Sequence, residues 1–298
     1  MSYVATIGFF DGVHLGHRYL LEQLTAEAAH RNMDSAVLTF EHHPRLFLNH
    51  PDMPLSPSGA PLGRTGMPLL CTFQERTELL KSLGVKEIFC FRFDLIRQMT
   101  AREFMQVLKD KCGVEVLMMG YDHRFGSDKP AQITDYIQIG AELGLEVIPV
   151  NQAPEGDVSS SKIRKALMLG DLSEANAMLG YPYTITGTVV HGRGIGHQLG
   201  FPTANLLVAD EKMIPRSGVY AVRWNGKKAI LNIGTNPTVS GDAAGIVTLE
   251  LHIPEMAQDT KRYGQKLQLS LVRRIRDEKK FASLDELKTQ IAEDLKNL

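Results

Sequence analysis

The spacing of hydrophobic residues differs between the two halves of the chain. In the first half, short apolar runs alternate with segments in which apolar residues recur every three or four positions, as at Leu21, Leu24 and Ala28. The runs predict buried strands and the recurring positions predict amphipathic helices. Because strands and helices alternate, we expect a parallel sheet with helices on both faces. The predicted strands are Tyr3–Ile7, Ala36–Phe40, Glu87–Phe91, Val114–Met119 and Glu146–Val150.

The pattern changes near Gly180–Thr186, after which apolar and polar residues alternate over short stretches. Such alternation predicts antiparallel strands, and the Asn225-Gly226 pair is typical of a type I′ hairpin turn. The last segment is an amphipathic helix. We therefore expect an antiparallel barrel or sandwich with a closing helix, and domains at 1–182 and 183–298. The predicted strands are Ile185–Val190, Val219–Trp224, Lys228–Ile233, Val247–Ile253 and Leu267–Val272.

Composition fits this division. A chain of 298 residues suits two domains of roughly 150 residues each. The 33 Lys and Arg against 34 Asp and Glu leave a formal net charge of -1, which gives no sign of a basic surface for nucleic acid or membrane. No apolar run approaches the roughly 18 residues of a membrane span, and Asp11 and His14 interrupt the apolar N-terminus, so we expect no signal peptide. The sequence leaves the oligomeric state open.

Two further features concern environment and mobility. Three widely spaced cysteines predict buried thiols without disulfides and therefore a reducing, cytoplasmic location. Five prolines and three glycines between Leu48 and Cys71 favour a flexible insertion over a substrate lid.

A glycine-rich turn between the first predicted strand and the first helix carries two histidines. His14 and His17 are three positions apart, so they project together if the helix has begun there. Imidazoles and unpaired N–H groups at a helix N-terminus form an anion site, and glycines let the backbone approach a ligand closely. The candidate nucleotide-binding residues of this turn are Gly8, Phe10, Asp11, Gly12 and Gly16.

A second helix start supplies further phosphate candidates. Ser160 and Ser161 precede Arg164 by one turn. Serines at a helix start are usually caps, whereas an arginine fork suits phosphate. The preceding strand would bring this segment to the same sheet edge as His14.

The second half contains another candidate site. Thr203 and Asn205 are two positions apart in an extended stretch, so both oxygens face one way, as ligands of a hard cation should. Glu250 lies on the polar face of an alternating strand; it is either a solvated residue or, beside a nucleotide, a base for a hydroxyl. The preceding glycines suit a phosphate loop or a plain β-turn, and they are Gly192, Gly194 and Gly196.

These motifs carry a family resemblance. GFFDGVHLGH at residues 8–17 with SSSKIR at 159–164 resembles the HxGH nucleotidyltransferases, and more narrowly the N-terminal domain of bifunctional riboflavin kinase/FMN adenylyltransferases, the prokaryotic FAD synthetases. GRGIGHQLGFPTANL at 192–206 and the segments after it resemble the riboflavin kinase domain. The resemblance implies an α/β Rossmann-like nucleotidyltransferase domain followed by an antiparallel β-barrel kinase domain with a C-terminal helix.

The resemblance also implies roles. Riboflavin would be phosphorylated to FMN, and FMN adenylylated to FAD, with ATP and Mg²⁺ in both steps. Glu250 would be the kinase base, Thr203 and Asn205 would hold Mg–ATP, and His14, His17 and Arg164 would act on the phosphates of the adenylyl transfer. The flavin-binding candidates are Asp122, Phe125 and Arg276, the last of which is equally explained by an ion pair.

Two alternatives stay open. Phe9, His42 and His123 depart from the family pattern, which leaves room for a single-activity kinase with a lapsed N-terminal domain. A non-catalytic flavin-binding regulator is the other alternative, although a binder needs no base such as Glu250.

Overall fold

The computed structural model describes residues 1–49, 67–120, 123–154, 156, 158–191, 201–236, 246–254, 262–279, 281–296 and 298. The chain forms two compact units, Met1–Ser159 and Ser160–Leu298. The expected boundary between 182 and 183 stays a prediction.

The first unit alternates strands and helices. Its strands are β1 (Tyr3–Ile7), β2 (Asp34–Phe40), β3 (Glu87–Phe91), β4 (Val114–Gly120) and β5 (Glu146–Val150). Its helices are α1 (Leu15–His30), α2 (Pro44–Asn49), α3 (Phe73–Ser82), α4 (Phe93–Ile96), α5 (Ala101–Cys112) and α6 (Ile133–Leu143). Thr72 and Thr100 begin α3 and α5 with complete capping boxes, each with a glutamate three residues later, which satisfy the exposed N–H groups of the first turn.

The five strands form one parallel sheet in the order β3-β2-β1-β4-β5. Alternate residues of each strand face opposite layers: Val4 packs with the cluster that contains Leu21 and Leu24 of α1, and Ala5 packs with the cluster that contains Phe104 of α5. The predicted three-layer fold is confirmed. The strand order reverses at β1, and such a switch point is where α/β sheets bind ligands, outside the carboxyl ends of the strands.

Two details of this unit differ from expectation. Strand β3 lies at the sheet edge, so Cys90 is exposed although Cys71 and Cys112 are buried; no disulfide joins the three. Helix α6 buries Tyr136 and Gly140. The spacing of Ile133, Ile137 and Ala141 in the sequence predicts instead a buried stripe through Ile137, which is 37% exposed. The apolar residues of α6 offer two competing stripes, and the sheet selects one.

The second unit begins with helices α7 (Ser160–Leu169) and α8 (Leu172–Leu179) and ends with α9 (Leu284–Lys296). Between them six strands close into a barrel. The strands are β6 (Thr184–Val190), β7 (Ala204–Val208), β8 (Gly218–Trp224), β9 (Lys227–Asn236), β10 (Ile246–His252) and β11 (Lys266–Arg276).

All neighbouring strands of the barrel are antiparallel, in the order β10-β7-β6-β11-β8-β9. The hairpin between β8 and β9 has Asn225 at φ 47° and Gly226 at φ 79°, as the type I′ prediction requires. Closure leaves no unpaired sheet edge. Among the described residues, no helix combines the length and apolar character needed to cross a membrane.

Candidate active sites

The turn after β1 has a strained backbone. Phe10 and Val13 adopt φ angles of 57° and 38°, and Gly12 adopts 80°. Left-handed φ is uncommon for bulky residues and unfavourable for a β-branched one, and such strain tends to persist at functional sites. A Cβ at Gly8 would lie 2.9 Å from the Phe10 ring, so Gly8 lets this ring fold back into the core. The turn is built by close packing at the switch point of the sheet.

Two buried groups hold this turn against α3. The Gly12 N–H donates to Cys71 Sγ at 3.0 Å, and the Cys71 N–H donates to Asp11 Oδ1 at 3.2 Å. Asp11 is 3% exposed and the Phe10 ring 2% exposed. Both residues are predicted nucleotide contacts. Because their side chains are buried, any contact with a nucleotide would be made by their backbone groups.

His14 and His17 come together as predicted. Their rings stack with centroids 3.7 Å apart. His14 precedes the first turn of α1 and makes no side-chain cap, and that turn carries no acidic residue. Among the described residues, Nδ1 of each histidine is buried and has no hydrogen-bond partner. A helix N-terminus without a side-chain cap beside two donor rings is suited to binding an anion.

The electrostatics of the pair follow from burial. Desolvation lowers the pKa of His14 to about 4. The pKa of His17 lies well below its usual range because of desolvation first, and then because of the nearby charges of His14 and Arg76. Both rings are therefore neutral at pH 7 in the ligand-free chain, and each can act as a hydrogen-bond donor without carrying a charge.

Arg76 of α3 is a residue that the sequence analysis missed. Its guanidinium is fully buried, lies 4.0 Å from the Phe9 ring centroid and donates from Nη2 to the Phe40 carbonyl oxygen at 2.5 Å. Phe73, Arg76 and Leu80 share one helical face through their spacing of three and seven. This spacing is the sequence signal from which the position of Arg76 on the apolar face of α3 could have been predicted.

The flavin candidates of this unit fall on the segment after β4. Phe125 is held by Tyr136, whose hydroxyl donates to the Phe125 carbonyl oxygen at 2.7 Å and accepts from its N–H at 2.9 Å. The Phe125 ring is half-buried against Phe104. Asp122 lies outside the described residues. Tyr136 thus fixes the backbone at Phe125, whose flavin contact stays a prediction.

Ser160, Ser161 and Arg164 lie in the first two turns of α7, and Arg164 is buried. Helix α7 belongs to the second unit. In the first unit, the chain just before α7 passes close to the helix α1 start, because a Cβ at Gly16 would lie 4.0 Å from the Val158 carbonyl oxygen.

A polar row crosses three strands of the barrel. Glu250 of β10 is directly opposite Asn205 of β7 and Asn232 of β9. Their neighbours Leu206, Leu249 and Ile233 are buried in the barrel interior, so the polar row faces outward. Residues directly opposite across antiparallel strands have Cβ atoms about 5 Å apart. The predicted pair of Asn205 and Glu250 is therefore brought together, and Asn232 joins it.

His252 positions the chain that carries Thr203. It lies two residues beyond Glu250 on the same face, is 8% exposed, and has Nδ1 2.9 Å from the Pro202 carbonyl oxygen. Because a carbonyl oxygen only accepts, we assign the proton to Nδ1. The Phe201 ring packs edge-on against the imidazole. Thr203 follows directly and is half-buried. The predicted glycines Gly192, Gly194 and Gly196 lie outside the described residues.

Arg276 of β11 is engaged within the protein. Its Nε and Nη2 donate to the Asp294 carboxylate at 3.0 and 2.7 Å, and Asp294 of α9 is 2% exposed. The arrangement supports the ion-pair explanation of Arg276 because it compensates a buried carboxylate. Its predicted flavin contact stays a prediction.

The metal donors predicted for the barrel are hydroxyl and amide oxygens. Among the described residues, no three His, Cys, Asp or Glu side chains converge as metal ligands. Thr203 and Asn205 supply the neutral oxygens that suit a Mg²⁺ ion held mainly by nucleotide phosphates. The donor set therefore fits a nucleotide-bound magnesium ion.

Comparison with family models divides the chain in the same order as its motifs. A model described as FAD synthetase matches residues 1–163, and a model described as riboflavin kinase matches residues 179–298. The two matches together span nearly the whole chain.

Known proteins similar to this chain include the bifunctional riboflavin kinase/FMN adenylyltransferase of Escherichia coli K12, at 38% identity over 98% of this chain and 90% of that protein. The enzyme of the same name from Listeria monocytogenes is 31% identical over the same shares. A crystal structure described as a macrolide-efflux protein from Streptococcus pneumoniae is 30% identical, with a TM-score of 0.82 over 99% of this chain and 93% of that one.

Proposed function

The chain belongs to the bifunctional riboflavin kinase/FMN adenylyltransferase family, and we propose that the two sites described above carry its two reactions. It phosphorylates riboflavin to FMN and adenylylates FMN to FAD. The assignment of sites rests on two separate groups of candidate side chains. One group lies at the switch point of a parallel sheet, and the other lies on the outside of a barrel. The lapsed-domain alternative is disfavoured because His14 and His17 keep a joint geometry.

The adenylyl transfer is a displacement at phosphorus. A phosphate oxygen of FMN bonds to the α-phosphorus of ATP, the bond to the bridging oxygen breaks, and pyrophosphate leaves. His14 and His17 donate hydrogen bonds to the oxygens on which negative charge grows, and the N–H groups at the start of α1 add to this. In the proposal Ser160, Ser161 and Arg164 hold the β,γ end. Much of the rate then comes from alignment of the reactants.

The kinase reaction uses the polar row. Glu250 accepts the proton of the terminal ribityl hydroxyl, whose oxygen bonds to the γ-phosphorus of ATP as ADP leaves. Thr203 and Asn205 would hold Mg²⁺, which when bound offsets the charge of the phosphate oxygens. His252 keeps Thr203 in place through Pro202.

The surroundings are part of the proposal. Riboflavin, FMN and ATP are the proposed partners, with neither nucleic acid nor membrane among them. The absence of disulfides among the three cysteines supports the cytoplasmic location predicted from the sequence.

Separate variants test the assignment. Glu250→Gln should reduce FMN formation from riboflavin by about 100-fold or more, while added FMN is still converted to FAD. The double variant His14→Ala, His17→Ala should still form FMN from riboflavin but should no longer convert FMN to FAD. Chromatography of riboflavin, FMN and FAD over time measures both steps.

Three outcomes distinguish the alternatives. Equal loss of both activities in either variant argues against separate sites. An unaltered chain that makes FMN but never FAD is a single-activity kinase. Flavin binding without any turnover identifies a regulator.

A further inference from the structure

Arg76 carries a buried charge without a direct ion pair among the described residues. Burial lowers its pKa, and the nearby Cys71 and Asp11 offset part of that shift. The side chain is 0% exposed, and only Nη2 has a hydrogen bond, to the Phe40 carbonyl oxygen. Nε and Nη1 are buried without a hydrogen-bond partner. Among the described residues, no carboxylate forms an ion pair with this guanidinium. Buried charges are ordinarily paired because desolvation is costly, so an arginine in this state requires an explanation.

Its surroundings are those of the adenylyltransferase site. The guanidinium lies over the Phe9 ring, in the turn that leads to His14. It is close enough to His17 that its charge contributes to lowering the pKa of that ring. Since His14 and His17 are neutral at pH 7, Arg76 is the permanent positive charge beside them, because a guanidinium stays protonated in proteins. A phosphate group bound in this site would bring negative charge next to the guanidinium.

The local structure holds Arg76 firmly. It lies in the first turn of α3, which Thr72 and Glu75 cap, and Cys71 ties the start of that helix to Gly12 of the histidine turn. Phe9 covers one face of the guanidinium at 4.0 Å and is itself half-exposed. A substrate therefore reaches Arg76 by displacing one aromatic ring.

From these observations we propose that Arg76 binds a phosphate oxygen of the substrate in the adenylyl transfer, through the nitrogens that Phe40 leaves unpaired. The inference rests on the proposed function of this site. Anionic oxygen is the ligand that guanidinium donors bind most strongly. The shared chemistry is a phosphate group, whose source is either the pyrophosphate end of ATP or the phosphate of FMN.

The test uses the full chain and inorganic pyrophosphate and FMN as separate probes in titration calorimetry. Arg76→Met keeps the size of the side chain and removes its charge. We expect Arg76→Met to lower the affinity for one of the two probes by about 10- to 100-fold. The probe that is weakened identifies the source of the phosphate. Lys81→Met removes an exposed charge from the same helix and should leave both affinities unchanged.

Thermal unfolding separates binding from structure. Because Arg76→Met removes an unpaired buried charge, the ligand-free variant should melt at the same or a higher temperature than the unaltered chain. Unchanged affinity for both probes overturns the proposal, as does a lowered melting temperature with unchanged affinities, which would show a structural role. If Arg76→Met does not fold, Arg76→Lys decides in the same titrations, since an ammonium keeps the charge but lacks the planar fork whose separate nitrogens reach Phe40 and a phosphate together.

Failure of the proposed function is a different result. A chain that binds pyrophosphate or FMN through Arg76 but forms no FAD keeps this inference and loses the adenylyltransferase assignment. A chain that forms FAD with equal rates in Arg76→Met and the unaltered protein loses only this inference.

Discussion

At the scale of single residues, burial decides the charge of the first site. His14 and His17 stack in a place from which water is largely excluded, so their neutral forms are favoured. In the proposed site, neutral imidazoles would position phosphate oxygens, whereas Arg76 would supply charge. The two tasks are thus divided between two kinds of side chain in one turn and one neighbouring helix.

This division predicts a dependence of stability on pH. Between pH 6.5 and about 4, His14 is protonated in the unfolded chain but neutral in the folded one. The unfolded state therefore binds more protons, and stability falls as pH falls through this window. For His14 the loss between pH 7 and pH 5 is about 2 kcal/mol. Thermal unfolding of the ligand-free chain at the two pH values measures it.

His14→Gln is the control for the pH experiment. The variant keeps a polar side chain but cannot titrate in this range, so its melting temperature should fall less between pH 7 and pH 5. Equal falls in the variant and the unaltered chain would show that other groups govern the dependence.

At the scale of elements, strand register builds the second site. β7, β10 and β9 place Asn205, Glu250 and Asn232 side by side, and His252 fastens the segment before β7 to β10. The closing helix α9 is fixed separately, by the pair of Arg276 and Asp294. The proposed catalytic residues and the ion pair that holds α9 thus lie on different strands of the barrel.

The role of Arg276 can be tested through its partner. Asp294→Asn and Arg276→Met should each destabilise the chain, the second by about 3 kcal/mol because it leaves a buried carboxylate unpaired. The double variant should lose less than the sum of the two, with a coupling of at least about 1 kcal/mol. Denaturant unfolding measures all three.

Riboflavin binding separates the two explanations of Arg276. A KM for riboflavin that rises in Arg276→Met but not in Asp294→Asn would assign the arginine to the flavin. Equal KM values in both variants would leave it as the anchor of α9.

At the scale of the whole molecule, two folds of different construction share one chain. The parallel sheet offers a helix N-terminus at its switch point, and the closed barrel offers a polar row on its outer surface. The first arrangement suits the phosphates of an adenylyl transfer, and the second suits a hydroxyl and a base. If the two proposed sites are independent, each reaction continues when the residues of the other site are replaced.

Mixing the variants tests this independence. Glu250→Gln alone should form almost no FAD from riboflavin, and the His14→Ala, His17→Ala variant should accumulate FMN. An equimolar mixture should form FAD, because FMN released by one chain reaches the intact site of the other. Chromatography follows the product. If both variants keep their remaining activity and the mixture still forms no FAD, FMN does not leave the chain that makes it.

Much of this protein followed from periodicity and motif. The positions of the five parallel strands, the hairpin at Asn225 and Gly226 and the pairing of His14 with His17 follow from patterns among residues near in sequence. Strand β7 was missed as a strand because its five residues follow a glycine-rich loop and show no clean alternation.

Tertiary structure decided the rest, because it brings together residues that no local pattern relates. The burial of Arg76 depends on Phe9 and Phe40, which lie 67 and 36 positions away in the chain. The edge position of β3 exposes Cys90, and the sheet selects one of two apolar stripes on α6. Desolvation is a property of the folded surroundings, so the neutral state of the histidines and the buried charge of Arg76 beside them arise only when the chain is packed.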